Sequence, residues 1–367
     1  MKNIDTNNIV SENLKTKNKE RKEIMKNYQI EMLDVGNADA FIISYEEDNG
    51  KQKLVLVDAG RYSDGEKIKN HLKKYYLNRT VDLAIVTHCD NDHFGGFIYL
   101  LENGCKINRF WINDPKMYED NMDLSNCDDF DSVYFIDDKE DVDSDDPYSI
   151  DIDGETKNLI KLIEDNKIEH FEKFASEKTD ADFPFFHILG PTKEYYEALL
   201  IEFRFEELRC TESELRKYLG EETLSPALDD ADDDTSSHNK SSIIFTFEPE
   251  TGKKYLFMGD ANREAFNKIP EALKKRYAKN VFWLKVPHHG SKHNLDFKMI
   301  EFINPKVAYV STAEINKYLS RATVNDLSKI GCELYSTHEK HDYLLHHGFD
   351  KRSGYSRAEP FTLEGDK

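Results

Sequence analysis

The apolar residues of this chain fall into short runs of strand length, and between them lie stretches with the spacing of helices. Glycine, proline, asparagine and aspartate bound many of these runs, as is typical of strand ends and turns. The strand-like runs occupy residues 28–45 (two strands around a turn at 35–37), 53–60, 83–86, 107–113, 183–189, 242–247, 254–258, 281–286, 307–311 and 333–336. Helical spacing starts at residue 97 and also occupies 65–77, 159–173, 193–219, 262–278 and 323–330.

This order of elements predicts the fold class. A strand-rich stretch that leads into a polar motif occurs in each half of the chain. The pattern favours an α/β protein in which two sheets pack face to face and helices lie outside them. The expected architecture is therefore an αββα four-layer sandwich.

Metal-ligand side chains follow three of the predicted strands. Imidazoles and carboxylates this close together repel one another or lose solvation unless a cation holds them. Ligands from separate strand ends are how a rigid scaffold fixes a metal pair, and mixed nitrogen and oxygen donors suit zinc, manganese or iron. The candidates are His88, Asp90, Asp92 and His93 after the first strand, Asp260 after the second, and His288 and His289 after the third.

The donor set is compatible with two ions. Two divalent ions about 3.5–4 Å apart can share a hydroxide and clamp a phosphoryl or acyl oxygen. Among these candidates only a carboxylate can bind both ions, and Asp260 is the expected bridge. The sequence therefore predicts a dinuclear hydrolytic centre that holds zinc or manganese.

Composition and charge narrow the possible partners. Lysine and arginine number 50 and aspartate and glutamate 71, so the formal charge of −21 argues against broad, non-specific binding to nucleic acid. A nuclease remains compatible, because bound metal or a local basic patch can recruit phosphate. Five scattered cysteines without a CxxC motif favour a reducing compartment. With no apolar leader and no apolar run of about 18 residues, we expect a cytoplasmic protein without a membrane partner.

Three segments lie outside the expected core of the hydrolase domain at residues 28–340. Residues 1–27 are predicted to form a charged tail and residues 341–367 a polar tail. Residues 114–155 hold many acids and almost no bases, which predicts a solvated insertion within the domain. The alternative is a lid, or a segment that binds a protein partner.

The motifs resemble those of the metallo-β-lactamase superfamily. The run THCDNDHFGG at 87–96 is similar to its T-H-x-H/D-x-D-H-x-G-G motif. Together with MGDA at 258–261, PHHGSK at 287–292, DVGNADA at 34–40 and NKSSIIF at 239–245, it is most similar to the soluble hydrolase domain of ComEC-like DNA-uptake proteins. The resemblance covers roughly residues 28–340 and implies the metallo-β-lactamase fold.

The resemblance also implies a role for each matching residue. His88 and Asp90 match ligands of the first ion, Asp92 and His93 match ligands of the second, Asp260 matches the bridge, and His288 is preferred over His289 as the late ligand. Among the catalytic residues, Asp92 would orient the shared hydroxide, His289 would face the phosphate or the leaving group, and Lys292 would neutralise an anionic substrate. The expected supporting or substrate-contacting residues are Asp58, Asn239 and Ser291.

The chain departs from the wider superfamily at two ligand positions. Asp90 stands where histidine is usual, which makes the site harder and more tolerant of manganese. The superfamily's middle histidine has no clear match. His187 lies in the right interval but in an apolar run, where a packed core histidine is expected, and His238 is more often a loop histidine than a ligand. The side chain of Cys89, between two ligands, is expected to point away from them.

These residues predict a metal-dependent hydrolase, with a phosphodiesterase or nuclease favoured. Its partner would then be a phosphodiester substrate, such as a nucleic acid or a nucleotide. Because this fold hosts several chemistries, a lactone, thioester or amide hydrolase stays an alternative. A non-catalytic partner-binding module is a further alternative, against which the intact ligand set argues.

Overall fold

The computed structural model of the chain describes residues 27–47, 49–121, 148–152, 154–200, 231–312, 319–339, 342–346 and 358–361. Most of three predicted segments lies outside these residues: the tail 1–27, the acidic insertion 114–155 and the long helix at 193–219. The strands are β1 (Tyr28–Leu33), β2 (Ala40–Glu46), β3 (Gln52–Ala59), β4 (Leu83–Ile85), β5 (Arg109–Trp111), β6 (Ser149–Ile152), β7 (Glu155–Asn158), β8 (Glu169–Phe171), β9 (Phe186–Gly190), β10 (Ile244–Glu250), β11 (Lys253–Phe257), β12 (Trp283–Lys285), β13 (Val307–Val310), β14 (Glu333–Ser336) and β15 (Tyr343–His346).

Two large sheets and one hairpin contain these strands. The first sheet has the order β15-β1-β2-β3-β4-β5-β8, the second has the order β14-β13-β12-β11-β10-β9, and β6 pairs with β7. The α-helices are Gly65–Tyr76, Asn91–Glu102, Leu159–Asp165, Ser237–Lys240, Arg263–Lys268, Glu271–Leu273, Phe297–Ile303 and Arg321–Lys329, and residues 193–200 are also helical.

The sequence of β3 shows why its sheet is buried on both faces. Side chains alternate between the two faces of a strand. Leu54 and Leu56 belong to the apolar cluster under the helices, whereas Val55 and Val57 belong to the cluster between the sheets. A strand that is apolar at consecutive positions is therefore covered on both sides.

An aromatic layer holds the two sheets face to face. Phe41 of the first sheet packs edge-on against Phe257 of the second at 5.5 Å between ring centroids, and Trp283 lies beside them. Such edge-to-face pairs add to the stabilisation that comes from burying the rings. Helices with buried apolar faces cover the outer side of each sheet. The αββα four-layer sandwich predicted from the sequence is confirmed.

The parallel strands direct their carboxyl ends to one edge of the sandwich. In the first sheet β3 runs parallel to β4, and in the second β11 runs parallel to β12 and β12 to β13. The helix Asn91–Glu102 follows β4 and lies directly against β3. A Cβ at Gly96 would stand 1.8 Å from the carbonyl oxygen of Ala59, so only glycine permits this approach.

Three predicted elements differ in the structure. The helix predicted at 159–173 ends at Asp165, and the chain then forms the edge strand β8. The helix predicted at 262–278 is interrupted where Pro270, which lacks an N–H, follows Ile269. The predicted polar tail 341–367 contains β15, which pairs with β1 in the first sheet. The domain therefore extends past residue 340.

No helix in the described part of the chain combines the length and the apolar character that are needed to cross a membrane.

Candidate metal centre

The candidate ligands gather where the parallel strands end. His88 and Asp90 follow β4, and His93 lies in the first turn of the helix Asn91–Glu102. Asp260 follows β11, and the pair His288 and His289 follows β12. The two sheets meet here, so ligands from both halves of the chain lie close together.

His93 lies at the middle of the group. Its Nε2 is 3.4 Å from Asp260 Oδ2, and its ring centroid is 4.1 Å from that of His88. Its Nδ1–H donates to Asp58 Oδ2 at 2.9 Å, which turns Nε2 toward Asp260. Burial would lower the pKa of His93, but the charges of Asp260 and Asp58 outweigh burial and raise that pKa well above its usual value.

Asp58 is held in place behind His93 rather than among the ligands. Its carboxylate accepts hydrogen bonds from the backbone N–H and the hydroxyl of Thr87, each at 2.8 Å. Its backbone is in the left-handed region, with φ of 52°. A residue so placed fixes the orientation of a ligand histidine, as second partners of metal-binding histidines commonly do.

Asp90 connects His88 to His238. Its Oδ2 lies 3.5 Å from His88 Nε2, and its Oδ1 accepts from His238 Nδ1–H at 3.0 Å. Burial would raise the pKa of Asp90, but the hydrogen bond from His238 and the charge of His88 hold that pKa well below its usual range. Burial would lower the pKa of His238, but the neighbouring Cys89 and Asp90 raise it to about 12.

Two sequence expectations about this side of the site need correction. The Cys89 side chain does not point away from its neighbours, because Cys89, Asp90 and His238 offer ligand atoms within 4.8 Å of one another. The second correction concerns His238, which was expected to be a loop histidine but lies near the ligands and is the candidate for a middle histidine.

His187 is remote from this group, since it lies on β9 and stacks on Tyr277 with 4.0 Å between ring centroids.

The adjacent histidines after β12 face different partners. His289 donates from Nδ1 to the carbonyl oxygen of Ser311 at 2.9 Å, and its Nε2 lies 3.5 Å from Asp92 Oδ2. His288 instead directs Nδ1 toward Asp234 Oδ2 at 3.2 Å and Asn294 Oδ1 at 3.1 Å. The sequence analysis preferred His288 over His289 as the ligand. In the structure His289, Asp92 and His93 offer ligand atoms within 4.8 Å of one another, so His289 is also a candidate ligand.

Neighbouring groups shift the pKa values of Asp92 and His288. Burial would raise the pKa of Asp92, but hydrogen bonding to His289 and the charge of His93 lower it to about 2. Burial would lower the pKa of His288, but the charge of Asp260 and the contact with Asp234 raise it to about 9. The neighbouring carboxylates therefore favour the protonated form of His288.

The remaining predicted residues lie around the ligand group. Asn239 donates from Nδ2 to Asp234 Oδ2 at 2.7 Å and so helps to hold the carboxylate that contacts His288. Ser291 Oγ accepts from the backbone N–H of His293 at 3.3 Å, a contact within its own loop. Lys292 follows Ser291 in this loop and is partly exposed.

Three residues of the site were missed by the sequence analysis. Arg61 follows β3 and places Nη2 3.3 Å from Asp92 Oδ2. Asp234 was not among the predicted site residues, yet its carboxylate contacts His288. Lys285 is buried and donates from Nζ to Asp260 Oδ1 at 3.0 Å. The signal for Lys285 was visible, since it is the one charged residue in the apolar run 281–286.

The residues present fit divalent metal ions. The buried Nε2 atoms of His88 and His93 make no hydrogen bond within the described residues. Among the described residues, four sets of side chains offer ligand atoms within 4.8 Å of one another. Three lie at this edge: His88 with His93 and Asp260, Asp92 with His93 and His289, and Cys89 with Asp90 and His238. The fourth, Asp39 with Asp58 and His93, lies on the Nδ1 side of His93. Imidazole nitrogens and carboxylate oxygens are donors that zinc and manganese accept.

Comparisons with known proteins found a matching family model and similar solved structures. Residues 33–123, which include the His88–His93 motif, match the family model described as the metallo-beta-lactamase superfamily. Among solved structures, the chain is similar to the metallo-beta-lactamase fold protein YhfI from Bacillus subtilis, with a TM-score of 0.40 and 7% identity over 84% of this chain and 96% of that one. It is also similar to a long form RNase Z from yeast, with a TM-score of 0.37 and 12% identity over 86% of this chain, and it spans 40% of that protein. No curated protein matches the chain.

Proposed function

We propose that this chain is a metal-dependent hydrolase of phosphodiester bonds, similar to the ComEC-like hydrolase domains. The observation that carries the proposal is the gathering of imidazoles and carboxylates from both sheets at one edge, with His93 shared between two adjacent ligand sets. Charged groups lose solvation when they are buried, and a bound cation compensates this cost. The arrangement is therefore one that metal binding would stabilise.

The distances between these side chains support two ligand sets. His88, Asp90 and Asp260 would hold a first ion, and His238 beside Asp90 is a further candidate for it. Asp92, His93 and His289 would hold a second ion together with Asp260. The ions would be zinc or manganese, and when bound they lower the pKa of a water molecule so that a nucleophile is available near neutral pH.

His288 is the candidate for a proton-holding group beside the ligands. Asp234 and Asn294 fix its ring at Nδ1, and its backbone N–H donates to Asp260 Oδ1 at 3.1 Å. An imidazole positioned by a carboxylate in this way can hold a proton and deliver it to a leaving oxygen. In this assignment His288 takes the substrate-facing role first given to His289.

A cation in the adjacent loop favours an anionic substrate. Lys292 follows the histidine pair and forms no hydrogen bond or ion pair within the described residues. A lysine ammonium acts as a point charge for phosphate, which it neutralises without fixed geometry. This feature, with the sequence PHHGSK at 287–292, supports a phosphodiester over a neutral lactone or amide.

The test is a substrate panel on the full chain. Purified protein is stripped of metal, reloaded with manganese or zinc, and assayed with bis-p-nitrophenyl phosphate, single- and double-stranded DNA, RNA and nitrocefin. We expect phosphodiester cleavage that depends on added metal, and a fall of at least about 100-fold for Asp92→Ala, since even partners one step further from a metal cost 10- to 100-fold.

A matched control uses the neighbouring residue Asn91, whose variant Asn91→Ala leaves every proposed ligand in place. Circular dichroism verifies that both variants are folded. Near-wild-type activity of a folded Asp92→Ala would refute the ligand assignment. Cleavage of nitrocefin alone would point to the alternative of a lactone, thioester or amide hydrolase. No turnover of any substrate would favour the partner-binding module.

A further inference from the structure

Lys285 is a buried cation that the ligand sets do not use. It ends β12 and lies on the same face of that strand as Trp283, so its side chain points between the two sheets. Its residue is 1% exposed. Nζ donates to the carbonyl oxygen of Gly259 at 2.6 Å and to Asp260 Oδ1 at 3.0 Å, and it forms an ion pair with Asp39 Oδ2.

These contacts divide the two oxygens of Asp260. Oδ1 accepts from Lys285 Nζ at 3.0 Å and from the backbone N–H of His288 at 3.1 Å. Oδ2 faces the other way and lies 3.4 Å from His93 Nε2. One oxygen of the carboxylate is therefore committed to the protein, and the other faces the ligand group.

We propose that Lys285 is a positioning residue that holds Asp260 Oδ1, so that Oδ2 is the oxygen that Asp260 would offer to both ions of the metal centre. The inference rests on the proposed function, because it requires a dinuclear centre. A carboxylate that can rotate can bind two ions through two different oxygens. By holding Oδ1, Lys285 would restrict Asp260 to one ligand oxygen.

Asp39 gives Lys285 a fixed position. Asp39 is fully buried just before β2, in the loop that links the first two strands of the other sheet. Its Oδ2 pairs with Lys285, and its Oδ1 is 4.0 Å from His289 Nδ1. Lys285 therefore lies between two carboxylates from different sheets, and its contact with Asp39 keeps its flexible side chain directed toward Asp260.

The experiment compares manganese-loaded protein by electron paramagnetic resonance and by metal-binding titration. The variants are Lys285→Met, which keeps the length of the side chain without its charge, and the control Lys254→Met, which removes another buried lysine of the same sheet whose Nζ donates to the carbonyl oxygens of Arg276 and Lys279. We expect wild type and Lys254→Met to show the spectrum of an exchange-coupled ion pair. In Lys285→Met the coupling should weaken, and the second ion should bind about 10- to 100-fold less tightly.

The double variant Asp39→Asn/Lys285→Met addresses stability. Lys285→Met alone leaves a buried carboxylate without its partner, which is strongly destabilising, whereas removal of both charges is far better tolerated. We expect the double variant to be folded and to show the same weakened coupling. A merely structural role would lower the melting temperature but leave the spectrum unchanged when both ions are bound.

The outcomes separate the inference from the proposed function. An unchanged coupled spectrum in folded Lys285→Met or in the double variant, with manganese in excess, would overturn the role of Lys285 and leave the dinuclear centre intact. Absence of any coupled pair in wild type would overturn the dinuclear centre, and the role of Lys285 with it.

Discussion

Two neighbouring histidines can serve different purposes when the backbone between them turns. His288 and His289 both lie in the left-handed region, with φ of 46° and 53°. This costs energy for residues other than glycine, and such strain persists only where the surrounding structure imposes it. Here the hydrogen bonds of His288 to Asp234 and of His289 to Ser311 impose it, so that the two rings face opposite partners.

The different roles of these histidines can be separated by metal analysis. His289→Ala removes a proposed ligand, and we expect the metal content measured by mass spectrometry after dialysis to fall from two ions per chain to one. His288→Ala should keep both ions and lower kcat by about 100-fold, the contribution typical of a general acid. The reverse pattern, with metal lost only in His288→Ala, would restore the assignment that the sequence first suggested.

His187 predicts a pH dependence that is independent of the metal centre. Burial against Tyr277 and the charge of Arg276 lower the pKa of His187 from 6.5 to about 4, and they outweigh Glu248 at 3.6 Å. Between pH 4 and pH 6.5, His187 is therefore protonated in the unfolded chain and neutral in the folded chain. The resulting stability is fully present above pH 6.5 and is lost as pH falls toward 4, by roughly 3 kcal/mol.

The measurement compares the free energy of unfolding of wild type and His187→Gln in urea. The free energy of unfolding of wild type minus that of His187→Gln should fall by roughly 3 kcal/mol between pH 7 and pH 4, because the variant has no imidazole at this position. Every other titrating group is shared, so it cancels in the comparison. A difference that does not change with pH would show that His187 keeps its ordinary pKa in the folded chain.

At the scale of elements, the site depends on how closely the helix Asn91–Glu102 approaches β3. His93 lies in the first turn of this helix, and Gly96 lies one turn later against the carbonyl of Ala59. A change in this packing moves the helix and the ligand together. The two adjacent glycines at 95 and 96 thus belong to the site, although neither has a ligand atom.

Gly96→Ala tests this dependence. A Cβ 1.8 Å from the Ala59 oxygen forces the helix outward. We expect a loss of about 1–3 kcal/mol in the free energy of unfolding, the usual range for overpacking, together with weaker metal binding. Asn103→Ala at the exposed end of the same helix is the control. Wild-type metal affinity in folded Gly96→Ala would show that the helix does not set the position of His93.

At the scale of the whole molecule, the ligand groups found among the described residues include no member of the acidic insertion 114–155. Tyr148, where the described chain resumes, donates its hydroxyl to the carbonyl oxygen of Asn113, so the chain resumes close to Asn113. Replacement of residues 122–147 by a short glycine-serine linker should leave the number of bound ions per chain unchanged. Loss of an ion would show that this segment supplies a ligand.

The sequence predicted the fold well because strand positions are recorded in short apolar runs. The motif residues were also visible, since ligand-type side chains after strands have few other uses. What the sequence did not show depends on direction. No pattern reveals that His289 turns inward and His288 outward, or that Lys285 extends between two sheets, because these follow from hydrogen bonds between residues distant in sequence. Likewise, β15 was assigned to a tail because a four-residue strand at an edge carries little pattern.

The pairing of β1 with β15 has a consequence for how the molecule is made. Ile30 pairs with His346 and Leu33 with Tyr343, across nearly the whole length of the chain. Contacts this distant close very large loops, and folds that depend on them form slowly. During synthesis β15 follows β1 by 310 positions (343 − 33), and one edge of β1 lacks its partner until β15 has left the ribosome. The nascent chain therefore carries an open strand edge while these residues are made, and an open edge can pair with other chains.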